Sequence, residues 1–319
     1  MNYTDDGYAA MLLTMALSPD REEYARPLST QEYRALAGAA QRSRYGGMGK
    51  LLDADVSGLM MYLSLDETEA LRVYTLLHRS VQLTYALEAL EREGVEAVTC
   101  FDADYPQRLC RKLGDQAPVT FYRCGEMALL SRPAIAIVGI GGVRTDDAVR
   151  DKIGALVREA ARRDYVVITG GEPGVSRVAG LEANRCGAAV LDIVGGDLMN
   201  HIHLDGIAER IAMGRGLALS LVHPRAMFTT VHAAARNKAL FALSDAAFIF
   251  NTDGRRGELG ALQNRWCANV YAWEGTPGNR ALYAHGAIPF GLDTPLDFDA
   301  MAARWSDGNA EQISMFDLV

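Results

Sequence analysis

Three glycine pairs stand where an anion could be held. Ile137-Val138-Gly139-Ile140-Gly141-Gly142 closes one apolar run, Thr169-Gly170-Gly171-Glu172-Pro173-Gly174 a second, and Val194-Gly195-Gly196-Asp197 a third. Glycine after a strand lets the backbone turn sharply and bring its N–H groups close to a negative ligand. The helix that follows adds the partial positive charge of its N-terminus. A single such turn is equally well explained as a tight strand–helix connection with nothing bound. Three at successive strand ends point to a phosphate site. The first, GIGGVR, lacks the GxGxxG spacing of the dinucleotide fingerprint, which argues against a nicotinamide enzyme.

Few groups near these turns suit covalent chemistry. Arg236-Asn237-Lys238 lies in an Ala-rich helical run and reads as an anion-contacting set or as solvated charge. Glu258 heads another helical run, where an acid offsets the macrodipole; in a nucleotide pocket it would serve as a base or ribose-hydroxyl acceptor. His201-Ile202-His203 has alternate spacing and no nearby cysteine, so it reads as a loop pair rather than metal ligands. Asp192 and Asp197 flank a glycine turn and are expected to shape it. No Ser/His/Asp or Cys/His arrangement stands out. No catalytic residue, metal or cofactor is therefore assigned.

The elements that position these groups follow from periodicity. From Ala134 onward, short β-rich runs alternate with helical patterns. The expected strands are Ala134–Gly139, Tyr165–Thr169, Ala189–Val194, Leu217–Leu221, Ala246–Asn251 and Asn269–Trp273. The expected helices are Asp146–Arg163, Val175–Cys186, Leu204–Met213, Thr229–Leu243 and Glu258–Cys267. Six strands with five crossovers predict a Rossmann-like, doubly wound, mostly parallel α/β sheet over 133–292, with ligands beyond the carboxyl ends of its strands. Before it, residues 1–100 read as a small helical domain. Tyr8–Leu17 is apolar, the run Leu28-Ser29-Thr30-Gln31-Glu32 offers an N-cap, and Ser64–Glu93 carries Leu71, Tyr74, Leu77, Val81 and Leu87 mostly at helical spacing. A short strand signal at Val98–Phe101 opens a connector over 101–132. Residues 293–319, thin in either signal, read as a tail.

Composition bounds the rest. The chain has 319 residues, 49% apolar and 23% charged, with a net charge of −8. An acidic balance counts against tight, non-specific DNA binding, so any basic patch must be local. The start carries two aspartates and no basic region, unlike a secretory signal. No run of ~18 uncharged apolar residues predicts a membrane span. Cys100, Cys110, Cys124, Cys186 and Cys267 lack CxxC spacing, which suits thiols in a reducing cytoplasm.

Several segments together resemble the DNA-processing DprA/Smf family. They are IAIVGIGGVR, VVITGGEPGVSRVAGLEANRCGAAV, ARNKALFALSDAAFIFNTDGRRGELGALQNRWCANVYAWEG and PGNRALYAHGAIPF, preceded by FDADYPQRL. The resemblance spans about Phe101 to Phe290, and the order of the blocks makes it specific. It implies an extended Rossmann fold, single-stranded DNA binding, a homodimer and loading of recombinase, without established catalysis. The wider superfamily includes proteins that bind or cleave nucleotides. By this resemblance Arg236-Asn237-Lys238 falls on the family's DNA-facing Arg-Asn-Arg segment. Gly139 and Arg144 fall near the glycine and arginine after the first strand, and Gly278, Asn279, Leu282, Gly286 and Ala287 match its closing motif. Pro173, Ser176 and Gly180 stand where the family has arginine, aspartate and histidine, though Arg177 is close by. Arg255-Arg256-Gly257-Glu258 replaces a serine-glycine-serine loop.

Two readings result. In the first, the turns of Gly139, Gly141, Gly170 and Gly171, with Arg144, Arg236, Asn237 and Lys238, hold successive phosphates of single-stranded DNA. In the second, the same turns grip one nucleotide in a sensor or nucleotide hydrolase, with Glu258 supplying chemistry or ribose recognition. The end of the chain adds a partner. Gln312-Ile313-Ser314-Met315-Phe316 resembles the peptide by which bacterial replication and repair proteins dock on the sliding clamp, with Gln312, Met315 and Phe316 as anchors. The alternative is that these side chains cover the protein's own surface.

Overall fold

The computed structural model describes residues 3–18, 25–139, 147–253 and 257–305. The chain forms two compact units: residues 1–124 with 220–227, and residues 125–219 with 228–319.

The first unit is mainly helical, with α1 (Asp5–Thr14), α2 (Thr30–Arg42), α3 (Val56–Leu63), α4 (Glu67–Leu77) and α5 (Ser80–Glu91). Ser29 starts α2 through a full capping box. Its Oγ accepts the Glu32 N–H at 3.2 Å, and Glu32 Oε2 accepts the Ser29 N–H at 2.7 Å. The stretch Ser64–Glu93, whose apolar residues lie mostly at helical spacing, is two helices broken at His78-Arg79. The break frees the Arg79 guanidinium to donate to the carbonyls of Leu12 (2.9 and 2.6 Å) and Met15 (2.5 Å) at the end of α1. After α5 come β1 (Glu96–Thr99), α6 (Gln107–Leu113) and β2 (Thr120–Gly125). β1 and β2 pair antiparallel, with Glu96 opposite Arg123 and an ion pair of 2.5 Å between them. The expected connector thus contains a helix and a strand.

The second unit carries the expected α/β sheet. Its elements are β3 (Ala134–Gly139), α7 (Asp147–Arg162), β4 (Val166–Thr169), α8 (Val175–Cys186), β5 (Val190–Val194), α9 (Leu198–Ile202), α10 (Ile207–Ala212) and β6 (Gly216–Ser220). They continue with α11 (Thr230–Leu243), β7 (Ala246–Asn251), α12 (Glu258–Gln263), β8 (Asn269–Trp273), α13 (Arg280–Tyr283) and β9 (Ile288–Phe290). The strand order is β6-β5-β4-β3-β7-β8-β9. The pairs β3–β4, β3–β7, β4–β5, β7–β8 and β8–β9 are all parallel. The chain winds outward from β3 to β6, returns through α11 to the other flank of β3, and winds outward again. β3, β4, β5 and β7 are almost wholly buried apolar runs, as parallel strands covered on both faces must be.

Two local expectations change. The helix expected over Leu204–Met213 is the shorter α10, and an unexpected helix, α9, precedes it, which places His201 inside a helix rather than a loop. The stretch 293–305, expected to begin a tail, carries helix over 298–305 and packs into the core. Phe298 and Trp305 meet Tyr165 edge-on at 6.0 and 5.5 Å, and Trp305 is 2% exposed. Among the described residues no helix is long and apolar enough to cross a membrane, and no described cysteine forms a disulfide.

Candidate nucleotide and nucleic-acid site

Two glycine turns, after β4 and β5, meet at one cavity. It measures about 520 Å³ and is lined by Gly170, Gly171, Glu172 and Pro173 on one side and by Val194–Asp197, Asn200, His201, Leu204 and Phe228 on the other. Glycine is required here for a reason that anion approach alone does not supply. A Cβ at Gly170 would lie 2.3 Å from Arg236 Nη1. At Gly171, whose φ is +69°, it would lie 2.7 Å from His201 Cε1. The glycines therefore make room for two side chains that the fold brings in from far along the chain.

Arg236 projects inward from α11 and is 2% exposed. Its Nη1 donates to the carbonyls of Gly170 at 2.5 Å and Ile193 at 3.0 Å, and its Nη2 pairs with Glu172 at 3.1 Å. Nε donates to Asn237 Oδ1 at 2.6 Å. The guanidinium thus clasps the turns after β4 and β5 from beneath. The arginine expected to face a strand of DNA is directed at backbone oxygens.

A second buried polar cluster lies below His201. Asp192, 5% exposed on β5, accepts from Thr169 Oγ1 at 2.5 Å through Oδ1. Its Oδ2 receives Arg210 Nη2 at 3.1 Å and lies 3.2 Å from His201 Nε2. Burial alone pushes the Asp192 carboxyl up. The hydrogen bond and charge of His201, the Arg210 guanidinium and the Thr169 hydroxyl outweigh it and hold the group at about 2. His201 is fixed from its own helix as well, because Asp197 caps α9 by accepting the Asn200 N–H, and the His201 N–H bonds the Asp197 carbonyl at 3.1 Å.

The other expected site residues are dispersed. A Cβ at Gly139 would lie 2.5 Å from Val175 Cγ2, so this glycine admits the close packing of α8. Asn237 is buried beside Arg236. Lys238 is half-buried, with Nζ 5.7 Å from the Trp266 ring centroid. Glu258 is buried at the start of α12. Gly141, Arg144, Gln312, Met315 and Phe316 lie outside the described residues. Among the described residues no cluster of three or more metal-ligating side chains occurs. Sequence reasoning missed Phe228, which is 46% exposed at the cavity wall, and the inward side of His201. Treating Asp197 as a helix cap would have placed His201 one turn inside α9, on the side of the strand that carries Asp192.

An open, mostly parallel α/β sheet, wound outward in both directions from β3 with its cavity beyond the strands' carboxyl ends, defines a Rossmann-like fold. The family model of DNA recombination-mediator protein A matches residues 96–285, and the chain belongs to that DNA-processing family. Among solved structures it is similar to DNA processing protein A (DprA) from Streptococcus pneumoniae, at 16% identity and a TM-score of 0.54, covering 82% of this chain and 95% of that one. It is also similar to the Helicobacter pylori protein, whose single-stranded DNA binding mode has been described structurally. That match has 22% identity and a TM-score of 0.52, covering 66% of this chain and 98% of that one. At such identities the likeness is one of fold. No curated relative matches.

Proposed function

We propose that this protein binds single-stranded DNA in the cytoplasm as a DNA-processing protein, acting as a homodimer that assists recombinase loading. Membership of the family over residues 96–285 carries this reading. The cavity after β4 and β5 supports it, since it joins glycine turns to an exposed ring at Phe228 on which a base can stack. Gly139, Gly141, Arg144 and Lys238 extend the phosphate track in this proposal. Arg236 and Asn237 contribute by holding the turns. The test is the affinity for an oligothymidylate at 50 and 200 mM salt. Contact with two phosphates predicts a loss of roughly sevenfold, and with four roughly fiftyfold. Absence of binding, or binding that ignores salt, overturns the reading. The cavity's volume of about 520 Å³ favours a second reading, a sensor or hydrolase for a single nucleotide. Tight binding of a mononucleotide without strand binding would establish it.

The C-terminal peptide is proposed as a clamp-docking segment. Tethering there raises the local concentration on DNA without new DNA contacts, which suits an acidic protein. Clamp binding should be lost when the chain is truncated after Asn309. Equal binding by both forms, or by neither, removes this proposal.

A further inference from the structure

We propose that His201 is a ligand-contacting residue of the cavity, whose protonated ring donates its Nδ1–H to a phosphate oxygen of a bound nucleotide unit, in a DNA strand or free. This rests on the nucleotide-binding reading above and names the proton-dependent contact within it.

The ring is 7% exposed, lines the cavity and meets Asp192 through Nε2. Asp192 is a carboxylate at any ordinary pH, so it accepts from Nε2–H and fixes the proton on that nitrogen. Nδ1 is then the nitrogen left with a lone pair. It has no partner among the described residues, and it lies 3.3 Å from where a Cβ on Gly171 would stand, at the cavity floor. The ring thus has one nitrogen anchored on the protein and the other open to the cavity, where a ligand atom can meet it.

The surroundings suit an anion. Helix α8, twelve residues long, begins just beyond the Pro173 wall, and its N-cap Gly174 supplies no side-chain acceptor to the first-turn amides. The charged groups at and behind the cavity walls come from five elements. Asp192 on β5 is offset by Arg210 from α10, and Glu172 after β4 is offset by Arg236 from α11. Asp197, at the head of α9, is the remaining carboxylate and is engaged in capping its own helix. Lowering the pH therefore adds one positive charge and one N–H donor to the cavity without disturbing the pairs around it.

The test compares wild type with His201→Gln and His201→Asn, using an oligothymidylate and thymidine 5′-monophosphate between pH 8 and pH 5.5. Gln reproduces the Nε2 donor to Asp192 and has nothing at the Nδ1 position, whereas Asn places an amide near Nδ1. Wild-type affinity should rise as pH falls through the imidazole range, by up to about tenfold per unit. His201→Gln should remove that component, and His201→Asn should bind with the pH dependence removed but the contact kept. In NMR titrations the His201 ring should become more basic when either probe is added, a readout that needs no variant. A response to the oligonucleotide alone assigns the phosphate to a strand, and a response to both extends it to free nucleotides. Strand binding with an unaltered His201 titration, or a His201→Gln protein with the wild-type pH slope, overturns the proposal while leaving DNA binding intact. No binding of either probe at any pH overturns both.

Discussion

Asp192→Asn should destabilise the protein by about 3 kcal/mol at neutral pH, because it leaves the Arg210 guanidinium buried against a neutral amide. The carboxylate satisfies Thr169, Arg210 and His201 at once, and asparagine can accept from only part of that set. The same substitution alters the acid limb of the stability curve. Asp192 is held at about 2 against an ordinary 3.8. A depressed carboxyl contributes stability that is fully present above the unfolded value and is lost as pH falls through the folded one. Wild type should therefore lose about 2 kcal/mol from this group between roughly pH 4 and pH 2. Urea denaturation at pH 7, 4 and 2.5 measures both effects. The variant should start lower and lack this component of the acid loss. A variant within about 0.5 kcal/mol of wild type at pH 7 would mean that the cluster does not hold the strand ends.

Arg236→Ala should cost about 3–5 kcal/mol, the range for removing one partner of a buried ionic contact. The carbonyls of Gly170 and Ile193 would lose their donor, and the Glu172 carboxylate its charge partner. Pairing the change with Glu172→Gln separates the terms. The double variant should be less destabilised than the sum of the two single ones by 1 kcal/mol or more, since the stranded charge is gone. An exposed phosphate contact would behave otherwise, with stability near wild type and a flattened salt dependence of strand binding. Denaturation curves for the four proteins, together with that salt slope, discriminate the two roles.

Much of the fold was legible from pattern alone. Ala134–Gly139, Ala246–Asn251 and Asn269–Trp273 coincide with their strands because each is an unbroken apolar run cut off by polar or glycine-rich turns. Val175–Cys186 coincides with its helix because Gly174 and Gly187 bracket it. The three-residue β9 and the five-residue α9 lacked the length to register, and α10 starts later than expected because Gly206, at φ +77°, stands at its N-cap. Trp305 and Phe298 were read as tail because their spacing shows no run, yet they complete the aromatic core. At the site, the glycine positions were visible but what they accommodate was not. Arginine is seldom buried, so Arg236 reads as a surface charge until two strand-end carbonyls and Glu172 are seen around it. No local signal joins Asp192 to Arg210 or Gly171 to His201. Those pairings exist only once β4 and β5 lie side by side.

The clasp formed by Arg236 has a consequence for the order in which the chain acquires its shape. Its donor arrives 66 residues after the Gly170 carbonyl it binds and 43 after that of Ile193. Closing loops of that length is entropically unfavourable until other contacts have drawn the ends together. The turns after β4 and β5 must therefore stay unfastened through early folding and lock only when α11 docks. During synthesis the strands emerge with their glycine turns bare, and a chain interrupted before residue 236 has the sheet's first half but no finished cavity. The cavity is thus finished late and all at once, as a property of the completed fold.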